Sequence, residues 1–199
     1  GYKDLSTQQP VKKIPLPDVL TLPLKQHIGE AAEPLVEPGD RVLKGQVIAE
    51  PGGEMGAPVH ASSSGTVVAI EPWPVSRRHG EKAPCIVIEC DGEDESFTGG
   101  SVDDYRELAP AELLLRILDG GIVGLGGAVF PTAQKLMQAR ASETEYLILN
   151  GVECEPYISC DDMLMRERAG RVMDGARIML AALGCEQAVI AVESDMPEA

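Results

Sequence analysis

No apolar run in the 199 residues approaches the length of about 20 that a membrane-spanning helix needs. The amino end carries no signal-peptide pattern. Cationic residues are scarce: 17 Lys and Arg against 32 Asp and Glu give a net charge of −15. Nucleic-acid binding rests on Lys and Arg neutralising phosphates, so that partner class is excluded. The acidic surplus reads as a solubilising surface. None of the five cysteines, Cys85, Cys90, Cys154, Cys160 and Cys185, is spaced as C-x-x-C, so no zinc or iron–sulfur ligand set is predicted here. An odd count without a secretory signal predicts reduced thiols in a cytosolic compartment. Cys154 and Cys160 flank an acidic stretch and read as small, half-buried thiols. His27 has no second His or Cys nearby and is not expected to bind metal. The chain opens without Met and stops just after VIAVESDMPEA, so it reads as a piece of a longer protein.

What is present is concentrated between Gly120 and Asp162, GGIVGLGGAVFPTAQKLMQARASETEYLILNGVECEPYISCDD. Glycines at 120, 121, 124, 126 and 127 let backbone come close to a bound group. Pro131 and Thr132 open a helix to about Arg140, whose first amides can hold an anion. Lys135 adds a positive charge one turn in. Tyr146 to Leu149 reads as a buried strand leading into Asn150-Gly151 and the carboxylates Glu153, Glu155, Asp161 and Asp162. Ligands in open α/β sheets bind beyond the carboxyl ends of strands, where these side chains fall.

The amino-terminal part differs. Residues 1–30 read as an extended arm ending in a short strand. LVEPGDRVLKGQVIAE and APVHASSSGTVVAIE each give strand, turn, strand, with Val42, Val47, Val67 and Ile70 as apolar positions. These phrases resemble the barrel-sandwich hybrid of biotinyl and lipoyl carriers. The tip that would bear a modified lysine reads Pro51-Gly52-Gly53-Glu54-Met55-Gly56, so a swinging-arm carrier is not expected and a structural or docking role is. Trp73-Pro74 and Arg77-Arg78-His79 read as an exposed loop, CIVIEC (85–90) as a buried strand and DGEDES as a solvated acidic turn. Phe97 to Ser101 marks a domain boundary.

The second domain opens with a short helix from Pro110, its apolar face Leu113, Leu114, Ile117 and Leu118, stopped by Asp119-Gly120-Gly121. A later helix is predicted over 162–183, with Asp161 as N-cap. Its apolar stripe is Leu164, Val172, Met173, Ala176, Met179, Leu180 and Leu183. Asp162–Arg166 and Glu167–Arg171 are possible i,i+4 pairs. Gly184 ends the helix, and Ala188 to Val192 reads as the next buried strand. Strand, helix, strand implies a parallel crossover.

GLGGAVFPTAQKL followed by LNGVECEPYISCDDMLMRERA resembles the RnfC family, one of the components of the Rnf complex, an ion-translocating ferredoxin:NAD+ oxidoreductase. It resembles less closely the FMN- and NADH-binding component of respiratory complex I. The resemblance implies an α+β protein of two domains: a barrel-sandwich hybrid at 31–98 after the 1–30 arm, then the first part of a Rossmann-like FMN/NADH-binding domain at 101–199. It assigns Gly124, Leu125, Gly126, Gly127 and Lys135 to FMN, together with Asn150, Val152, Glu153 and Cys154. Phe130 and Glu155 are assigned to NAD(H). Val129 and Val152 depart from the complex I pattern, which has Gly and Asp there.

Further cofactor contacts and two [4Fe–4S] clusters would lie beyond this chain, which alone is expected to bind FMN weakly and to be inactive. The implied setting is peripheral, on the cytoplasmic face of the bacterial inner membrane, among other Rnf subunits. Electrons would pass between NAD(H), FMN and the clusters. A soluble hydrogenase-type flavin protein and a docking module are the alternatives.

Overall fold

The computed structural model describes residues 3–76, 80–99, 102, 104–142, 144–194 and 196–199. The expected loop at Arg77–His79 and the boundary residues Gly100 and Ser101 lie outside the described residues. The chain divides into two compact units. One comprises Pro15–Asp103 with Leu114–Lys135, the other Gly1–Ile14, Asp104–Leu113 and Leu136–Ala199. Residues 114–135, with the glycine loop, cluster with the sandwich unit.

Among the described residues, the sandwich unit holds seven strands: β1 (Val19–Pro23), β2 (Glu33–Pro34), β3 (Arg41–Val42), β4 (Val47–Glu50), β5 (Val59–His60), β6 (Gly65–Pro74) and β7 (Lys82–Cys90). They form two antiparallel sheets, ordered β1-β7-β6-β3 and β2-β4-β5. Val42, Val67, Ile86 and Ile88 from the first sheet and Ile48, Ala49 and Val59 from the second share one core. Alternation along short β-branched strands supplies these contacts.

Val47 is an exception among the expected core positions. It is 36% exposed, and Ile48 and Ala49 are buried instead. The β4–β5 register shifts between Val47 and Ala49, which changes the side chain that faces inward. Trp73 and Pro74 end β6 instead of forming a loop.

The acidic turn is tied down as well as solvated. The hydroxyls of the buried Ser63 and Ser64 donate to Asp94 (2.9 Å) and Asp91 (2.7 Å). Lys44 and Arg41 donate to Asp94 and Glu95 (both 2.6 Å). The 51–56 tip is packed rather than free: a Cβ on Gly52 would stand 1.9 Å from the Ala31 carbonyl oxygen.

The division between units falls within helices α1 (Pro110–Asp119) and α2 (Thr132–Ala141). The other unit contains β8 (Tyr146–Gly151), α3 (Cys160–Leu183) and β9 (Gln187–Val192). β8 and β9 pair in parallel, Tyr146 opposite Gln187 through Gly151 opposite Val192, with α3 as the crossover. Neither strand is buried as expected: Ile148 is 65% exposed and Val189 48%. A two-stranded sheet covered by one helix leaves most of its apolar side chains in solvent.

Helix α3 departs from its expected pattern in three ways. Its N-cap is Ser159, not Asp161. Arg168 has non-helical backbone angles (φ −131°, ψ 25°), so one stripe does not run through the whole helix. Met163 is buried before that kink while Leu164 and Met173 are exposed; Ala176, Ala182 and Leu183 are buried after it. Asp162–Arg166 forms at 3.6 Å. Glu167 does not meet Arg171; both its oxygens accept the Val11 amide (3.0 and 3.2 Å). Gly184 ends α3 in the left-handed region (φ 75°), as expected. Arg140 donates to the Ala182 and Leu183 carbonyls (3.1 Å each), adding a cation where the helix dipole favours one.

The arm is only partly extended. Lys3–Leu5 form a 3-10 turn in which Lys3 is buried, and β1 pairs with β7.

Candidate functional site

The glycine loop belongs to the sandwich unit and is closed by its own backbone. The Thr132 amide donates to the Ile122 carbonyl (2.9 Å), Gly124 to Phe130 (2.8 Å) and Val129 to Gly126 (3.0 Å). Gly121 is glycine for the fold's sake: it has φ 63°, and a Cβ would lie 2.8 Å from the Pro58 oxygen. Gly126 and Gly127 are different. Neither has positive φ, and a Cβ built on either meets nothing within 4 Å. Among the described residues, no packing or turn requirement explains glycine there. Such bare backbone suits the close approach of a phosphate or ring edge, and the residues present fit a flavin nucleotide in that respect.

Around this tip, Leu125 is 94% exposed, and Val129 holds φ 45° with its carbonyl accepting the Ile28 amide (3.4 Å). The Lys135 ammonium stands 5.8 Å from the centre of the Phe130 ring, at the outer limit of cation–π attraction. Lys135 and Phe130 are thus neighbours. A hollow of about 690 Å³ beside the loop is lined by Gly127, Ala128 and Val129 and by Lys25, Gln26 and Ile28. This volume is within the range of small-molecule sites. The 25–28 segment was not expected there; nothing local in an arm-like, Pro- and Lys-rich sequence announces such a contact.

The second group of residues lies in the β8–α3 unit. The Asn150 side-chain oxygen accepts the Val152 amide (3.1 Å), an Asx turn at the strand end. Gly151 is tightly packed: a Cβ would meet Met165 at 3.0 Å and the Ala191 carbonyl oxygen at 3.2 Å. Glu153, expected among the flavin contacts, is buried and directed at the start of α3. One oxygen accepts from the Cys160 thiol (3.0 Å) and the Asp161 amide (2.9 Å); the other faces the Lys3 ammonium (3.4 Å). Burial pushes its carboxyl up, but the Cys160 thiol, the Asp161 and Asp162 amides and Lys3 together bring it below the ordinary value. The Glu153 hydrogen bond, then burial, push the Cys160 thiol up.

Cys154 and Cys160 are exposed, not half-buried. Glu155 is exposed in the same loop. Glu153, Cys160 and Asp161 are the one group among the described residues with metal-ligand proximity. The Lys3 ammonium already neutralises its buried member. Gly124–Lys135 and Asn150–Glu155 are therefore each assembled within their own unit.

Comparison with known proteins bears on both groups. Residues 1–93 match the family model described as the RnfC barrel sandwich hybrid domain, and residues 117–199 match the Nuo51 FMN-binding domain. Proteins named as the C subunit of an ion-translocating oxidoreductase complex align along essentially the whole chain. The chain is similar to those proteins over its whole length. The Pseudomonas aeruginosa relative is 48% identical over 197 residues, covering 99% of this chain and 26% of that protein. The Haemophilus influenzae (strain 86-028NP) relative is 44% identical over 197 residues, covering 99% and 30%. The Rhodobacter capsulatus relative (strain ATCC BAA-309) is 44% identical over 200 residues, covering 100% and 38%. The chain thus spans between about a quarter and two-fifths of these relatives' lengths. The two matched domains make the architecture a barrel-sandwich hybrid followed by a flavin-domain segment. Among the described residues no helix is long and apolar enough to cross a membrane.

Proposed function

We propose that this chain forms the part of an electron-transfer subunit that receives FMN and meets NAD(H), within a membrane complex that couples electron flow to ion translocation. The observation carrying this reading is the bare backbone at Gly126 and Gly127, within a stretch matched by an FMN-binding domain. Gly124, Leu125, Gly126 and Gly127 would line the cofactor, and the Lys135 ammonium would supply charge toward its phosphate. Asn150, Val152 and Cys154 are assigned to FMN by the family resemblance alone. Glu153 would act one layer back, by holding the start of α3. Phe130 and Glu155 would meet the nicotinamide nucleotide. When bound, FMN supplies the exchange between two-electron hydride transfer and single-electron steps. The chain's own residues bind, orient and shield.

The β8–α3–β9 crossover would be the first unit of a Rossmann-like sheet. The two [4Fe–4S] clusters would lie in the remainder of the full-length protein, and the complex's other subunits would hold it on the cytoplasmic face of the membrane. An absorbance spectrum of the full-length protein, before and after NADH, tests the reading: a flavin band that bleaches supports it, and no flavin refutes it. Lys135→Ala should lower FMN retention with the fold intact; unchanged flavin content would remove Lys135 from the site.

A further inference from the structure

Lys3 is 6% exposed, which is rare for a lysine without a dedicated set of acceptors. Its ammonium has three protons to give. It has three acceptors: the Glu153 carbonyl (2.6 Å), the Ile158 carbonyl (2.8 Å) and the Glu153 carboxylate (3.4 Å). The two carbonyls stand at opposite ends of one loop. Between them, residues 154–157 are all exposed, so burial of their own side chains does not fix their shape. Tyr157 adopts φ 67°, the left-handed region that a non-glycine residue rarely occupies. Backbone strain of this kind persists where surrounding structure over-determines it.

The turn carrying Lys3 is itself braced: its carbonyl accepts the Ser6 and Thr7 amides (2.9 Å each) and both their hydroxyls (3.1 Å each). A buried ion pair is a poor source of stability compared with apolar packing. This one makes better sense as a device that selects one loop conformation.

We propose that Lys3 is a positioning residue of the nucleotide site: its buried ammonium clasps both ends of the Glu153–Ile158 loop and holds the exposed Cys154–Tyr157 tip in the shape that receives the nicotinamide nucleotide. This rests on the reading of Glu155 given above, and it assigns to the amino-terminal turn a task that no feature of the turn's own sequence suggests.

The test uses the full-length protein with Lys3→Met. Losing charge-assisted hydrogen bonds at both loop ends should speed amide exchange at 154–158 by about tenfold or more. NADH-dependent ferricyanide reduction should show KM raised about fivefold or more and kcat, taken per bound FMN, within about twofold. Unchanged exchange overturns the clasp; faster exchange with unchanged KM reduces Lys3 to a structural role and overturns the proposal.

A second measurement needs no variant. By linkage, NADH binding must tighten a clasp that favours it, so NADH should slow acetic-anhydride labelling of Lys3 in the wild type. An unaltered labelling rate overturns the proposal even if Lys3→Met does not fold. If the wild type shows no flavin bleaching with NADH, the nucleotide reading fails by itself, and the exchange comparison still decides whether the clasp exists.

Discussion

Glu153→Ala should be among the most damaging single changes in the β8–α3 unit, although the residue is polar and lies in a loop. Two losses combine. The Asp161 amide and Cys160 thiol lose their shared acceptor at the start of α3, a cap worth about 1 kcal/mol. Lys3 loses its counter-charge. If it stays buried, breaking the pair costs about 3–5 kcal/mol. If the turn detaches so that the ammonium reaches water, hydrogen bonds to the Glu153 and Ile158 carbonyls are given up, at about 1.5–3 kcal/mol each. Both routes lead to a total of about 4–7 kcal/mol, a large part of a domain's stability of about 5–15 kcal/mol.

Glu153→Gln should cost roughly half as much, because its amide oxygen still accepts the Asp161 amide while its NH2 group confronts Lys3. The assay is urea-dependent amide exchange at α3, which follows this unit apart from the sandwich. A Lys3→Met/Glu153→Gln cycle should give a coupling of at least about 1 kcal/mol. A Glu153→Ala protein within about 0.5 kcal/mol of wild type would refute this account of the residue.

Three further outcomes are expected. Because the folded Glu153 carboxyl lies below its ordinary value of 4.5, its stabilisation is complete above that pH and is lost as pH falls through the lower folded value. The acid side of the α3 stability profile should therefore flatten in Glu153→Gln; Asp161, raised by burial and by Glu153, acts in the opposite sense, which makes that comparison necessary. Iodoacetamide at pH 8 should modify Cys160 slowly despite its exposure, and Glu153→Gln should speed it several-fold; an unchanged rate would show that the carboxylate does not hold the thiol. Gly65→Ala should unfold the sandwich unit at markedly lower urea, because the new Cβ would lie 2.1 Å from the Glu89 carbonyl oxygen in the adjoining strand; a wild-type midpoint would contradict that packing.

The parts of this molecule legible in the sequence are those set by local chemistry. The helix from Pro110, its stop at Gly120-Gly121, the helix after Pro131, the strand–helix–strand order and the Gly184 stop all stand within a residue or two of expectation. The central β-branched strand Ile86–Ile88 does too. What could not be read depends on partners distant in sequence. Val47 is displaced from the core by a register shift that only the β5 partner creates. Asp161 is a good cap residue by type, yet Glu153 supplies the acceptor from eight residues upstream. Near the candidate site Asn150 was legible as a strand-end residue because its side chain turns its own backbone, whereas Gly126 and Gly127 answer no such backbone need among the described residues. Lys3 and the 25–28 segment were not legible, because single cations in an unpatterned arm carry no signal of what they will touch.

The exposed β8–β9 pair has a practical consequence. Two parallel strands with Ile148, Val189 and Ile190 in solvent present ladder edges that, among the described residues, no third strand meets. Such edges accept any strand of suitable register, including one from an identical molecule. Concentrated preparations of this stretch alone should accumulate β-rich assemblies seeded at Tyr146–Gly151 and Gln187–Val192, and a lysine in place of Ile148 or Val189 should suppress them.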